Sequence, residues 1–247
     1  MKYLKPTNNA QRNTILIDYS QLVSKVKKYP RKLFERFSNH AGRNNQGKIT
    51  ARHRGGGHKK TYPKINYKPY LYEKAGEGIV KSIEYSSYHT SFISFISWRN
   101  GSCSFIITPQ KLKVGDKINA KNKESTQIGN NFSLQDIPAG TSIHNLELRP
   151  KGGGKLIRAA GTYGTVMGKS TNGRCQVKLP SGEVREFLPD CQATIGEVSN
   201  PENKFVRQGK SGRNRWKGSR PKVRRAAMNA VDGGGGEGKK GKGKPNK

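Results

Sequence analysis

The C-terminal stretch of this chain, residues 204–247, restricts what the chain can fold into more than any other feature. It holds fifteen Lys and Arg residues against two acids, Asp232 and Glu237, and a run of four glycines at 233–236. A segment so charged and so poor in aliphatic side chains buries too little apolar surface to offset the entropy lost on ordering. We therefore expect a basic arm that becomes ordered against a polyanion. A solubilising tail is the alternative, but such tails rarely carry Trp and Met, here Trp216 and Met228.

Positive charge is concentrated at both ends of the chain. The 247 residues carry a formal net charge of +32, with fifteen Lys/Arg and two acids in residues 1–60 but eighteen and twelve in residues 61–203. This excess makes nucleic acid the expected partner. No apolar run reaches the ~20 residues that a membrane-spanning helix needs, so we expect no membrane span. The pattern predicts basic extensions at 1–60 and 200–247 around a more ordinary middle region.

Cysteine usage and the N-terminal residues bear on the compartment. Cys103, Cys175 and Cys191 have neither CxxC nor zinc spacing, which favours free, mostly buried thiols in a reducing compartment. The first fourteen residues, MKYLKPTNNAQRNT, lack the apolar core of a secretory signal and the pattern of a transit peptide. Lys outnumbers Arg by 31 to 17, as AT-rich genomes favour. We expect an organellar protein of the mitochondrial matrix, with the bacterial cytoplasm as the alternative.

The N-terminal extension contains one weak helical signal. Residues 14–37 read TILIDYSQLVSKVKKYPRKLFERF, with an apolar run at 15–17 and a helix-like spacing of Leu22, Val23 and Val26 that Pro30 interrupts. We expect an extended arm with at most a helical turn, ordered on its partner.

A second basic, glycine-rich stretch follows at residues 42–60, GRNNQGKITARHRGGGHKK. Its cationic side chains alternate with bare glycine backbone, which allows close approach and positive φ, while the cations neutralise phosphates. This composition predicts a loop threaded between phosphates. His53 and His58 lie within it, but the surrounding positive charge and the lack of nearby Cys or carboxylate ligands argue against a metal site.

Nucleotide hydrolysis is the sharper alternative for the same stretch. Residues 42–48 satisfy GxxxxGK, but Ile49 stands where Ser or Thr would hold magnesium, and no strand leads into the loop. Two further GKS triplets, at 168–170 and 209–211, have Tyr163 and Lys204 in place of the first glycine. We therefore expect no enzyme activity, no catalytic residue and no cofactor.

The middle region is predicted to be mainly β, with two small barrels. In residues 61–126 the segments 78–85, 90–98 and 102–108 are rich in β-branched and aromatic residues, and a turn at 99–101 joins the last two. Residues 113–118 add a turn and a further strand. Short strands with frequent turns predict an antiparallel OB-type barrel.

Residues 127–199 show the same pattern of short strands and turns, and a polar, turn-rich segment at 119–131 separates the two regions. The segments 142–148, 163–169, 175–179 and 184–188 alternate apolar and polar residues, and Asn-Gly and Ser-Gly turns link the last three. We predict a second barrel of the Src-homology type.

A third basic glycine loop, RPKGGGK at 149–155, lies within this second module. With Arg158, Tyr163 and Arg174, it would present a basic face. The alternative is a surface turn whose lysines are merely solvated.

The residues that we expect to bind RNA share positive charge, glycine backbone or an aromatic ring in the three glycine-rich basic stretches. Trp216, set among Arg213, Arg215 and Lys217, is the candidate for stacking on a base or ribose, and packing onto the second barrel is its alternative. The full set is Arg43, Lys48, Arg52, His53, Arg54, Gly55, Gly56, Gly57, His58, Lys59, Lys60, Lys151, Lys155, Arg158, Arg213, Arg215, Trp216, Lys217, Arg220, Lys222, Arg224 and Arg225.

Four segments, in order along nearly the whole chain, carry a resemblance. They read GRNNQGKITARHRGGGHK, IPAGTSIHNLELRPKGGGKLIRAAGTY, SGEVREFLPDCQATIGEVSNPEN and RWKGSRPKVRRAAMNAVDGGGGEG. Together they resemble the bacterial-type family of large-subunit ribosomal protein number two. The resemblance implies an OB-fold domain, a Src-homology-type barrel and extensions that penetrate the ribosomal RNA.

The same resemblance implies a place in the large subunit. It implies a position near the peptidyl transferase region and a contribution to subunit assembly and subunit association. The implied partners are neighbouring ribosomal proteins and the small subunit, contacted at a bridge. The chain would act as a monomer within the ribosome.

Two departures from the family pattern stand in the C-terminal signature. The family reads MNPVDHPHGGGEG, whereas residues 228–238 read MNAVDGGGGEG, without the His-Pro-His segment. The histidine once proposed to assist peptide-bond formation thus has no counterpart, which agrees with an RNA-based reaction centre. The family also usually continues with another basic segment after the glycine run.

Two other function classes remain open at this stage. A free RNA chaperone or DNA-compacting protein would also need basic arms, although it would not need two distinct barrels. A phosphate-handling enzyme has only the near match at residues 42–49 in its favour.

Overall fold

The computed structural model describes residues 1–20, 22, 29–36, 38–68, 76–119, 127–170, 172–224 and 227. The mainly β class predicted from the sequence is confirmed, since antiparallel sheets make up most of the regular structure. The chain divides into two compact units: unit 1 comprises residues 1–37 and 60–209, and unit 2 comprises residues 38–59 and 210–247. None of the helices in the described part of the chain has both the length and the apolar character needed to cross a bilayer.

The N-terminal segment of unit 1 forms short paired elements. Two antiparallel pairs, β1 with β2 and β3 with β4, hold it, and the Asn8 side chain caps α1 by accepting a hydrogen bond from the Gln11 amide. The elements are β1 (Lys2–Tyr3), α1 (Asn9–Arg12), β2 (Ile15–Leu16), a 3-10 turn (Arg31–Leu33), β3 (Phe34–Glu35) and β4 (Tyr62–Pro63).

This segment differs from the extended arm that we expected. Ile17 is buried, and Tyr29 and Phe34 pack against an apolar cluster that contains Phe95 and Phe105. The physical reason is that these few apolar side chains find partners in the β modules, so local charge does not decide their placement. The helix-like spacing at 22–26 lies almost wholly outside the described residues.

The first β module of unit 1 is a four-stranded antiparallel sheet in the order β7-β6-β5-β8. Its strands are β5 (Glu77–Glu84), β6 (Ile93–Trp98), β7 (Cys103–Ile107) and β8 (Lys117–Asn119). The hairpin predicted at 99–101 is confirmed, since the Trp98 amide donates to the Ser102 carbonyl at 2.9 Å and Gly101 has φ +79°. Apolar clusters cover both faces of the sheet, one around Val80, Ile96 and Trp98 and the other around Phe95 and Phe105.

The second β module contains a six-stranded sheet in the order β15-β14-β13-β10-β16-β9 and a separate pair, β11 with β12. Its elements are β9 (Asn131–Ser133), a 3-10 turn (Leu134–Asp136), β10 (Ser142–His144), β11 (Leu146–Glu147), β12 (Gly154–Leu156), β13 (Gly164–Lys169), β14 (Cys175–Lys178), β15 (Val184–Phe187) and β16 (Gln192–Ile195). A 3-10 turn (Pro201–Phe205) follows. Cys175 and Cys191 are free and buried in this core, and burial raises the pKa of the Cys191 thiol to about 11.

The prediction of a single alternating strand at 142–148 is wrong, because the segment forms two strands. Asn145 has φ +51°, which divides the segment into β10 and β11, and the two strands join different sheets. His144, Asn145 and Glu147 are buried along with the apolar residues between them. The alternation of apolar and polar residues predicts that only one face of the strand is buried, but residues on both faces of this segment are buried.

Burial of His144 makes the stability of the fold dependent on pH. Its imidazole is fully enclosed and its Nδ1 lies 2.9 Å from the Gly196 carbonyl; desolvation lowers its pKa from 6.5 to about 4. The unfolded chain takes up a proton as pH falls through 6.5, whereas the folded chain does not until about pH 4. Stability is therefore complete above pH 6.5 and falls by up to roughly 3 kcal/mol towards pH 4.

This pH dependence can be measured by urea unfolding of the full chain between pH 7 and pH 4.5. We expect the His144→Gln variant to lose less stability over this interval than the wild type. The exposed His40 provides the control, because His40→Gln should follow the wild-type slope. Equal slopes for all three proteins would contradict the assignment to His144.

Candidate nucleic-acid interface

Unit 2 brings the two predicted basic stretches together. The Gly55 amide donates to the Gly218 carbonyl at 2.7 Å, and the His58 amide donates to the Trp216 carbonyl at 2.9 Å. The Arg220 amide donates to the His53 carbonyl at 3.1 Å. Segments about 160 residues apart in the sequence therefore form one antiparallel ribbon, whereas we had treated them as independent arms.

Glycine makes this close pairing possible. Gly57 has φ +63°, and a Cβ atom there would lie 2.8 Å from the Trp216 carbonyl oxygen and 2.9 Å from the Gly218 amide nitrogen. Gly218 itself has φ +94°. By contrast, a Cβ atom on Gly56 would meet nothing within 4 Å. Gly57 and Gly218 thus allow the two segments to pack closely, whereas the space beside the Gly56 Cα atom is open to another molecule.

The paired segments line a concavity of about 320 Å³. Four arginines line it, two from each segment, and the described residues of its wall include no carboxylate. The lining residues are Ala41, Arg43, Arg54, Gly55, Gly56, Gly57, Arg215, Ser219 and Arg220. Guanidinium groups donate paired hydrogen bonds to phosphate oxygens and keep their charge at all physiological pH values. The arrangement is therefore suited to bind phosphate.

Trp216 lies at the end of α2 (Ser211–Trp216) and is 49% exposed. Its ring centroid is 5.9 Å from that of His58 at an interplanar angle of 64°, and the Lys210 Nζ atom lies 4.8 Å from its ring centroid. The described contacts of the indole are thus within unit 2, and a large part of the ring is accessible for stacking.

The two histidines of the glycine loop have structural contacts. His53, at φ +63°, places Nδ1 3.0 Å from the Pro221 carbonyl oxygen, and His58 packs edge-on against Trp216. Within the described ranges, no group of three His, Cys, Asp or Glu residues could hold a metal ion. Residues 43 and 49 form an antiparallel bridge, so the segment that matches GxxxxGK is a tight turn and does not lead from a strand into a helix.

The other predicted cationic residues of unit 2 are not among the residues that line the concavity. Arg213 is half-buried, and the remainder are exposed. These exposed residues are Lys48, Arg52, Lys59, Lys217, Lys222 and Arg224. Arg225 and the departing signature at 228–238 lie outside the described residues.

Four predicted residues belong to unit 1. Lys60 is half-buried, with Nζ 3.4 Å from the Ser87 carbonyl oxygen. The Arg158 guanidinium lies 4.6 Å from the centroid of the Tyr67 ring. Lys151 and Lys155 are exposed on the third glycine loop. The predicted set is therefore divided between the two units.

The glycines of the third loop pack inward. The buried Glu147 carboxylate accepts hydrogen bonds from the Gly153 amide at 2.7 Å and the Gln192 amide at 3.2 Å. A Cβ atom on Gly154 would lie 2.0 Å from the Asn145 side-chain oxygen. Gly153 and Gly154 are therefore required by the core of the second β module, a role that neither the RNA-binding interpretation nor the surface-turn alternative included.

Sequence reasoning missed several residues that shape the unit 2 site. Asn39 donates from Nδ2 to the Gly56 carbonyl at 2.9 Å and accepts from the Ala41 amide at 2.9 Å. Ser219 forms a backbone bridge with Arg54. An asparagine or serine in a polar segment gives no compositional signal, so only the pairing of distant segments reveals these roles.

A mainly β chain with paired basic segments and an arginine-lined concavity defines a nucleic-acid-binding protein. Residues 30–120 match a family model described as Ribosomal Proteins L2, RNA binding N-terminal domain. Residues 127–247 match the model described as Ribosomal Proteins L2, C-terminal domain. The chain belongs to the ribosomal protein L2 family, which confirms the resemblance noted in the sequence.

Three relatives support this assignment across nearly the whole chain. The large ribosomal subunit protein uL2m of Reclinomonas americana is 46% identical over 249 residues, which cover 99% of this chain and 88% of that protein. The uL2 protein of Mycoplasma pneumoniae is 44% identical, covering 96% of this chain and 84% of that protein. The uL2 protein of Dinoroseobacter shibae is 44% identical, covering 97% and 84%.

Membership in this family defines the general role of the chain. It is a structural constituent of the large ribosomal subunit, it binds RNA, and it functions in translation. The predicted class of RNA-binding ribosomal protein is thereby confirmed.

Proposed function

We propose that unit 2 is the principal anchor of this chain on large-subunit ribosomal RNA. The observation that carries the proposal is the concavity in which Arg43, Arg54, Arg215 and Arg220 converge around open glycine backbone. Each guanidinium that neutralises a phosphate releases counterions, so affinity should fall steeply with salt. Folded RNA presents phosphates and 2′-hydroxyl groups at crossing strands, which an irregular basic ribbon can match by shape.

Stacking and a second set of cations add to this anchor. Trp216, half exposed beside Lys210, stacks on a base or ribose of the same RNA. Lys151, Lys155 and Arg158 of unit 1 contact phosphates separately. Removing the Trp216 ring weakens RNA binding beyond what charge alone explains.

We infer the finer role from the family resemblance. The basic glycine-rich extensions support assembly of the large subunit, its association with the small subunit through a bridge, and the RNA architecture around the peptidyl transferase centre. One copy acts in each ribosome, beside neighbouring ribosomal proteins. The Lys-rich composition and the uL2m relative favour an organellar ribosome in the mitochondrial matrix over a bacterial one.

Sedimentation of native ribosomes over a salt series tests the proposal. We expect the full chain to remain with the large particle at moderate salt and to leave it only as salt rises. In filter binding to large-subunit RNA, four phosphate contacts from unit 2 alone give a slope of about −3 in a plot of log affinity against log salt. A free RNA chaperone would instead sediment apart from the particle and bind unrelated RNA equally well.

A further inference from the structure

Unit 1 carries a second aromatic surface, on the loop that follows β5. Tyr85 is 56% exposed and Tyr88 is 43% exposed. Neither residue belongs to the hydrophobic clusters of the β modules, and neither was selected from the sequence. Accessible aromatic rings on a strongly basic protein mark a contact surface.

Tyr85 stands at the edge of a cavity of about 220 Å³. Its lining includes the apolar residues Phe34, Ile93 and Phe105, of which the last two are buried. Polar residues also line it, among them Glu84 and Ser87. An apolar lining with a few polar residues is the usual composition of a ligand site.

The loop around this cavity is held in place before any partner arrives. The Ser86 hydroxyl lies 2.8 Å from His89 Nδ1, and the other ring nitrogen of His89 lies 3.3 Å from the Tyr67 hydroxyl. Desolvation, and then the charge of Arg158, lower the pKa of His89, which keeps the imidazole neutral. Tyr19 packs against Tyr85 with the ring centroids 4.6 Å apart. A fixed ring loses little entropy when a partner stacks on it.

Positive charge lies directly beside the aromatic rings. Lys60 Nζ is 5.6 Å from the centroid of the Tyr88 ring and 3.4 Å from the Ser87 carbonyl oxygen. Tyr62 packs edge-on against Tyr88 with the centroids 5.2 Å apart. Aromatic rings interleaved with cations are the combination that binds unpaired nucleotides, with bases stacked and phosphates neutralised.

We propose that this cavity binds one unpaired nucleobase of RNA, stacked against Tyr85, with the adjoining phosphate near Lys60. The inference rests on the proposed function for its partner but concerns a different site. Its volume is below the roughly 300 to 1,000 Å³ of sites that take whole drug-sized molecules, so it fits a single planar ring. The alternative occupant is an apolar side chain of a neighbouring protein. Lys60, whose Nζ lies 3.4 Å from the carbonyl oxygen of the lining residue Ser87, together with the net charge of +32, favours the polyanion.

Glu84, a lining residue, adds a preference among bases. Glu84 accepts a hydrogen bond from the Tyr29 hydroxyl, and an ionised carboxylate can only accept such bonds. Adenine, cytosine and guanine carry an exocyclic amino group with two N–H donors, whereas uracil offers only its single ring N–H. The site therefore favours a base with an amino group.

Chemical probing of the full chain on large-subunit RNA tests this inference. Dimethyl sulfate methylates the exposed pairing nitrogens of unpaired adenine and cytosine, and kethoxal modifies the pairing edge of unpaired guanine. We expect the wild type to protect one such nucleotide that Tyr85→Ala leaves reactive, with affinity reduced on the order of tenfold. Tyr85→Phe should keep both protection and affinity, because the ring remains.

Tyr3→Ala is the matched control, since Tyr3 is 74% exposed in β1 and does not line the cavity. It should bind as the wild type does. Equal behaviour of Tyr85→Ala and Tyr3→Ala, or crosslinking of Tyr85 to a neighbouring protein in the native subunit, would overturn the nucleobase site while leaving the unit 2 anchor intact. Failure of the wild type to prefer large-subunit RNA over unrelated RNA would instead overturn the proposed function.

Discussion

Replacement of Arg43, Arg54, Arg215 and Arg220 by glutamine is expected to abolish stable incorporation of the chain into the large subunit. The four guanidinium groups line one concavity, so their loss removes a cluster of charge-assisted contacts at once. With net contributions of about 1 kcal/mol or more from each such hydrogen bond, affinity for large-subunit RNA should fall about a thousandfold. The slope of log affinity against log salt should also become shallower by about three units.

A second variant with the same change in net charge separates the site from bulk electrostatics. Glutamine at Lys81, Arg99, Lys113 and Lys169 also removes four charges, but these exposed residues lie on unit 1 outside the predicted sites. We expect that variant to lose far less affinity and to enter the subunit. If both variants lose equal affinity, long-range charge determines binding and the concavity has no special role. Circular dichroism should show that both retain their β structure.

Strands joined by short turns were predictable from the sequence because their determinants are local. β6 and β7 carry β-branched and aromatic residues on either side of an Asn-Gly turn, and the register follows from that turn. The same holds for β13, β14 and β15. The two strands and the turn of each hairpin lie within about twenty consecutive residues, so a local sequence pattern contains all the residues that pair.

Elements that depend on distant partners were not predictable. β9 and β16 are three and four residues long and pair across about sixty residues, and neither has a distinctive pattern. β10 and β11 look like one strand until the left-handed Asn145 separates them. In such places tertiary contacts override the local preference, as β propensity generally allows.

The candidate site shows the same division. The types of residue in the site were predictable from composition, since a basic and glycine-rich chain requires a polyanion. The geometry of the site was not predictable, because nothing in the sequence indicates that residues 53–58 pair with 216–220. Glycine is ambiguous in a sequence, as the same residue permits close approach of RNA or of the chain itself. Gly57 and Gly154 are needed because another part of the chain packs closely against them. The space beside Gly56 is open to RNA.

Gly57→Ala should open the ribbon of unit 2 even in the absence of RNA. The new Cβ would meet the Trp216 carbonyl oxygen at 2.8 Å and the Gly218 amide nitrogen at 2.9 Å, both main-chain atoms. A left-handed φ costs a residue other than glycine about 1 to 2 kcal/mol, and overpacking adds about 1 to 3 kcal/mol. We expect hydrogen exchange at the amides of Gly55 and His58 to accelerate, and RNA affinity to fall with it.

Gly47→Ala isolates the contribution of the close contact. Gly47 has φ +77° in the same unit, so alanine there bears a similar conformational cost, but its Cβ would meet nothing within 4 Å. Exchange at Gly55 and His58 should then stay slow. If Gly57→Ala instead kept these amides protected and still lost RNA affinity, glycine would be required at the RNA-facing surface. The difference between the two alanine variants therefore decides whether the geometry of the ribbon is a precondition for RNA binding or a consequence of it.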